Sequence, residues 1–211
     1  MKTAVILPVK RFAHAKQRLG GWFGGPERAV LAAAMVADVL DELTRAQLGQ
    51  LIVVTSEPLG APGALIVRDD REKGQSAAAL LGLARARELP CDRALLIPGD
   101  CPLIDGRELQ ALVRRAESLD VVIVPDRHGT GTNGLALAVG CPFEPQFGPG
   151  SRDRHVAQAE AKRLAYEVIG VPSLQLDVDT GEDATALAQA LARYPERAPH
   201  TRQALHGLDA A

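Results

Sequence analysis

The chain has 211 residues, 46% hydrophobic and 24% charged, with a net charge of −2 at neutral pH. That length supports a single domain with a full core, and the charge balance supplies no positive field to recruit nucleic acid. Aromatic residues make up only 3%, which disfavours a base-stacking platform, and Asp38 interrupts the most apolar run, Ala29 to Leu40, short of a membrane span.

The N-terminus lacks a leader-like apolar segment and cleavage site. Three cysteines, Cys91, Cys101 and Cys141, form an odd set without CxxC spacing, which predicts free thiols in a reducing cytoplasm. Thr3 to Val9 reads as a first strand, apolar and β-branched. The loop after it carries Lys10, Lys16 and Arg18, cations that suit phosphate oxygens. It contains no Walker motif, so it is either a triphosphate seat of another kind or a solvated basic loop. Gly20, Gly21, Gly24 and Gly25 make the following connection flexible or tightly turned.

Pro26 and Glu27 open a helix whose Leu31, Met35, Val36, Val39, Leu40 and Leu43 share one face. Strands follow at 51–55 and 64–67, then an alanine-rich helix to about Glu88 with Ser76 as its expected N-cap. Arg93 to Ile97 is the next strand, stopped by Pro98 and Gly99. Asp100 just beyond it is either a turn former or a ligand at the carboxyl end of a parallel strand. Asp105 opens a further helix in capping-box fashion, and Asp120 to Val124 is another buried strand.

A Gly/Thr-rich loop, 125–134, leads to a strand at 135–139. Phe147-Gly148-Pro149-Gly150-Ser151 enters a helix with Arg152, Arg154 and His155 in its first turns, which is either a phosphate site, where the anion would offset the unfavourable dipole interaction of the cations, or a plain Ser N-cap on a basic surface helix. His128 and His155 read as surface residues or phosphate neighbours. Leu174 to Thr180 alternates like a strand, which puts Asp177 and Asp179 on one side, either as ligands or as solvated and capping loop residues. Thr180 and Asp183 begin a helix ending near 193, and residues 194–211 read as a loose polar tail to a single domain spanning 1–193. The rhythm predicts an α/β fold with a mostly parallel, Rossmann-like sheet.

Asp100, Asp177 and Asp179, with no adjacent His or Cys, suit a hard ion such as Mg²⁺. Cations in the first loop suit a nucleoside triphosphate, and Thr132, Gly148 and Ser151 form a second anion nest. Together these parts point to nucleotidyl transfer onto a phosphorylated acceptor. A glycosyltransferase or a non-catalytic nucleotide-binding protein on the same fold is the alternative of another class. The single Asp100 in place of an Asp-x-Asp motif disfavours the first, and retention of all three aspartates the second.

The blocks Leu7-Pro8-Val9-Lys10, Ala15-Lys16-Gln17-Arg18-Leu19, Pro98 to Leu103, Pro125 to Asn133, Phe147 to Ser151 and Asp177 to Asp183 together resemble the CofC/FbiD guanylyltransferases of coenzyme F-420 biosynthesis. The resemblance implies a glycosyltransferase-A-like nucleotidyltransferase fold that joins GMP from GTP to a three-carbon phosphorylated acid. Phosphoenolpyruvate is the expected acceptor, 2-phospho-L-lactate the alternative and 3-phosphoglycerate a third, and a downstream transferase of the pathway would be a partner. The resemblance implies acceptor binding by Thr132, Gly148 and Ser151, magnesium ligation by Asp100, Asp177 and Asp179, and nucleotide binding by Pro8, Lys10, Lys16, Arg18 and Ser76. Asp100 and Lys16 are the implied catalytic pair. Two departures stand: Cys101 replaces the usual Leu, and Gly74-Gln75-Ser76 replaces Gly-Leu-Asn.

Overall fold

The computed structural model of the protein describes residues 2–209. Seven strands, β1 (Thr3–Val9), β2 (Gln50–Thr55), β3 (Leu65–Arg68), β4 (Arg93–Leu96), β5 (Val121–Pro125), β6 (Thr132–Ala138) and β7 (Tyr166–Val168), form one sheet in the order β3-β2-β1-β4-β6-β5-β7. Helices α1 (Gly25–Ala46), α2 (Gln75–Arg87), α3 (Gly106–Arg115), α4 (Ser151–Ala161), α5 (Gly181–Arg193) and α6 (Pro199–Asp209) surround it. The expected mostly parallel α/β architecture is present. Only β6 runs antiparallel to its neighbours, β4 and β5.

Alternation along β1 divides the core. Val5, Leu7 and Val9 pack with Val36 and Val39 of α1 and Leu109 and Leu112 of α3. Ala4 and Ile6 face the other way, against Ala79 and Leu83 of α2 and Ala159 of α4. Gly82 permits the close approach of α2, since a Cβ there would lie 2.3 Å from Ile6 Cγ2.

Two topological facts position the site. The chain runs outward from β1 to β2 and β3, then returns to the other side of β1 for β4. That reversal opens a crevice at the carboxyl ends of β1 and β4, where open α/β sheets take ligands. Because β6 is reversed, its first residue, Thr132, reaches this same edge rather than the opposite one.

Local signals set most helix starts. The Glu27 carboxylate accepts from Gly24 N–H at 2.6 Å, and Asp105 accepts from Arg107 N–H at 2.8 Å. Thr180 and Asp183 form a reciprocal capping box on α5. Three expectations need correction. Ser76 is not a cap: α2 begins one residue earlier, behind Gly74 at φ 94°. Leu174 to Thr180 forms no strand; after a 3-10 turn at Pro172–Leu174 it runs irregularly. Residues 194–209 are not a loose tail, because α6 packs against α1 with Thr201 fully buried.

The cap of α6 comes from a distant part of the chain. Buried Asp38 of α1 accepts from His200 N–H (3.0 Å), Thr201 N–H (2.8 Å) and Thr201 Oγ1–H (2.6 Å). An acidic side chain at a helix N-terminus satisfies donors that have no partner within the helix. Asp38→Ala is therefore expected to lower unfolding stability by about 2 kcal/mol, with turnover retained. Urea denaturation checks this, and an unchanged midpoint would show that the cap contributes nothing.

Candidate active site

The crevice widens into a cleft of about 840 Å³ whose walls include Pro8, Lys10, Lys16, Arg18, Asp100, Thr132, Gly148, Ser151, Asp177 and Asp179. All of the expected site residues except Ser76 meet there. Ser76 turns its hydroxyl away to accept from Phe147 N–H at 2.9 Å, so it tethers the Gly148 loop to α2, and its neighbours Gly74 and Gln75 line the cleft instead.

The loop after β1 is folded rather than loose. Two 3-10 turns, Phe12–His14 and Gln17–Leu19, flank Lys16, whose backbone is left-handed at φ 56°. This bend sends the side chain inward, to 7% exposure. Its ammonium donates to Asp100 Oδ2 at 2.7 Å and Asp179 Oδ1 at 2.8 Å. Burial by itself would lower the Lys16 pKa, but the two carboxylates outweigh it and hold the group firmly protonated. Burial likewise pushes Asp179 up, while Lys16, with Arg18 and Lys10 further off, brings it below the ordinary range. Lys10 and Arg18 are exposed at the mouth, where they add positive field.

Asp177 and Asp179 reach Asp100 without a strand. Val178 N–H donates to the Asp100 carbonyl at 3.1 Å, and the fully buried Val178 side chain pins the segment between them. Asn133, buried at the start of β6, donates to Leu174 O at 2.8 Å and to Asp177 Oδ1 at 3.0 Å. Burial raises the Asp177 pKa, and the nearby Asp100 charge raises it further, against the Asn133 bond. Asp183 accepts from Asp179 N–H and Thr180 N–H and pairs with Arg127 at 2.6 Å, which fixes the turn that presents Asp179. The supporting roles of Asn133 and Arg127 could not be read from spacing, since their partners lie more than forty residues away. Cys101 donates to Leu174 O at 3.6 Å, and burial pushes its thiol up, so it serves as packing.

The donor set suits a hard cation. Asp100 and Asp179 already share one positive charge, and Asp177 stands against them as an uncompensated like charge. Among the described residues no three acidic, His or Cys side chains converge into a ready cage. Mg²⁺ does not require one, because it commonly takes one or two carboxylates together with substrate phosphates and waters.

The opposite wall offers an anion the Ser151 side chain, while the first two amides of α4 are already used: Ser151 N–H donates to Gly148 O (3.0 Å) and Arg152 N–H to Thr130 O (3.2 Å). Gly148 (φ 112°) and Gly150 (φ 68°) adopt left-handed conformations that turn the chain into α4, whose N-terminus opens on the cleft at Ser151. The Arg154 guanidinium does not point at the ligand space. It donates to the carbonyls of Gln146 (3.0 Å), Phe147 (3.4 Å), Gly148 (3.4 Å) and Pro149, and so holds the loop in shape. Arg152 pairs with Asp153. His155 is not a surface residue either: it is fully buried, and burial, then the Arg154 charge, push its pKa down to about 4. His128 is exposed, with Nε2 accepting from Arg127 Nε–H at 3.1 Å.

Comparison with known proteins shows the family and the fold. A phosphoenolpyruvate guanylyltransferase of Conexibacter woesei is 46% identical, with 99% of this chain and 97% of that protein covered. A 3-phospho-D-glycerate guanylyltransferase of Phenylobacterium zucineum is 37% identical over 87% of this chain and 88% of its own. In three dimensions, a nucleotidyl transferase of Methanothermobacter superposes with a TM-score of 0.68 at 17% identity, covering 92% of this chain and 99% of that one. Residues 3–189 match the family described as guanylyl transferase CofC-like. The chain belongs to that family and is a nucleotidyltransferase.

Proposed function

We propose that the protein is a phosphoenolpyruvate guanylyltransferase that transfers GMP from GTP to phosphoenolpyruvate, with release of pyrophosphate, as a step of coenzyme F-420 biosynthesis. The observation that carries the reading is the juxtaposition of the Lys16–Asp100–Asp179 cluster with the Thr132–Gly148–Ser151 nest across one cleft. The acceptor is taken from the relative that is 46% identical over nearly the whole chain. A second reading, 3-phosphoglycerate as acceptor, is favoured by the 37% identical relative. 2-Phospho-L-lactate differs from these acids by little and stays in the comparison.

An oxygen of the acceptor phosphate attacks the α-phosphorus of GTP, and the bond to the β,γ-pyrophosphate breaks. The acceptor carries a charge of about −1.5 to −2 at pH 7, so no base is required to make it nucleophilic. Lys10 and Arg18 at the mouth neutralise the triphosphate, and Lys16 supplies a fixed cation beside the reacting groups. The Ser151 and Thr132 side chains hold the acceptor from the other side, so the two substrates meet with little freedom left to lose. Mg²⁺, held by Asp100 and Asp179 with Asp177 beside them, would supply neutralisation of charge on both phosphates. The free thiols and the soluble substrates are consistent with a cytoplasmic reaction; among the described residues no helix is long and apolar enough to cross a membrane.

The test is pyrophosphate release with GTP and Mg²⁺, comparing phosphoenolpyruvate, 3-phosphoglycerate and 2-phospho-L-lactate, each coupled to the next transferase of the pathway to pull the product forward. Phosphoenolpyruvate is expected to give the highest kcat/KM. No release with any of the three would refute the reading.

A further inference from the structure

His155 lies on the first turns of α4, enclosed by Phe143 and Phe147 at ring-centroid distances of 5.5 and 5.6 Å. Both of its ring nitrogens are engaged. Nε2 accepts from Gln146 N–H at 2.8 Å, and Nδ1 is 3.0 Å from Thr132 Oγ1. A backbone N–H can only donate, so Nε2 carries no proton, and the neutral ring holds its proton on Nδ1. Nδ1–H therefore donates to Thr132 Oγ1. The hydroxyl proton of Thr132 cannot point back at His155, and Thr132 borders the cleft at the first residue of β6.

We propose that His155 is a positioning residue that sets the Thr132 hydroxyl as a donor toward the anionic oxygens of the acceptor. This rests on the acceptor reading of the Thr132–Gly148–Ser151 nest. An unconstrained threonine hydroxyl can donate or accept, and half of that repertoire is useless against an anion. The relay from Gln146 N–H through the imidazole to Oγ1 removes the choice and polarises the last donor in the same direction. A cationic His155 would work against it, because both nitrogens would donate and Nε2–H would oppose Gln146 N–H. The imidazole thus assists anion binding as a neutral group and touches no substrate itself.

Two substitutions separate the two nitrogens. His155→Gln keeps an acceptor near the Nε2 position and loses the Nδ1 donor; His155→Asn keeps an amide donor near Nδ1 and loses the Nε2 acceptor. With phosphoenolpyruvate and GTP, His155→Gln is expected to raise the acceptor KM about tenfold and leave the GTP KM in place. His155→Asn should restore most of the acceptor KM. Thr132→Val should reproduce the His155→Gln effect, and the double variant should add little to either. Nitrogen NMR of the imidazole in the wild-type protein should show the Nδ1–H tautomer at neutral pH.

An Nε2–H tautomer, an equal rise in both KM values, a better acceptor KM in the Gln than in the Asn variant, or full additivity with Thr132→Val would each overturn this role while wild-type turnover persists. Absence of wild-type turnover with every acceptor would instead remove the acceptor reading and this role with it.

Discussion

Asp100→Asn is expected to reduce kcat by about 10²–10³-fold while the protein stays folded. Asp100 projects from the loop that ends β4 and accepts from Lys16, which Asp179 also holds at 2.8 Å. The amide would therefore leave Lys16 one carboxylate partner and the backbone bond from Val178 N–H to Asp100 O intact. What it removes, on the function proposed above, is the negative charge where the two substrates' phosphates would meet, and one of the carboxylate oxygens that would hold magnesium. Steady-state kinetics with phosphoenolpyruvate and GTP, paired with thermal unfolding, check the two halves of the statement. A variant retaining most of its turnover would mean that the reacting phosphate lies elsewhere in the cleft.

Acidification is expected to destabilise the protein through His155, by about 3 kcal/mol between pH 6.5 and pH 4. The folded-state pKa of about 4 lies below the ordinary 6.5, because the ring is buried and Arg154 is near. Above pH 6.5 the ring is neutral in both states, and nothing is lost. Below 6.5 the unfolded chain takes up a proton that the folded chain refuses, so stability falls until the pH reaches the folded value. Asp179, with its lowered pKa, adds a loss of the same sign at more acid pH. His155→Asn isolates the histidine share: its unfolding free energy should be flatter from pH 6.5 to 4 than that of the wild type. Parallel pH profiles of the two proteins would show that His155 is not held neutral by the fold.

How far such features could be read in advance depends on whether their causes are local. β1 and α1 were legible because hydrophobic spacing and a Pro-Glu start are written within a few residues. Asp100 was legible because Pro98 and Gly99 stop a strand beside it. Asp177 and Asp179 reach Asp100 by a cause other than the strand that their alternation predicts: Asn133 and the Asp100 carbonyl hold the segment, and no ladder forms. The reversal of β6 is written only in its connection: residues 126–131 are too few for the crossover that a parallel pair needs, while the period of two itself has no direction. His155 was hidden for another reason. The buried stripe of α4 is Ser151, His155 and Ala159, at helical spacing but with only the small Ala159 apolar, too little to announce it.

The bond between Asp38 and the start of α6 also has a consequence for the order in which the chain can settle. Its partners lie 162 and 163 residues apart. While the protein is being synthesised, α1 is complete long before His200 and Thr201 exist. Until they arrive, Asp38 must remain hydrated, because burying an unpartnered carboxylate is costly. The surface of α1 that later meets α6 therefore stays open throughout most of synthesis, although its opposite face can pack on β1 early. Closure of that surface is a long-range contact, and contacts of that kind form late and slowly. The side of the molecule beneath α6 is thus the last to be finished, and in a nascent or truncated chain it is the side a chaperone would meet.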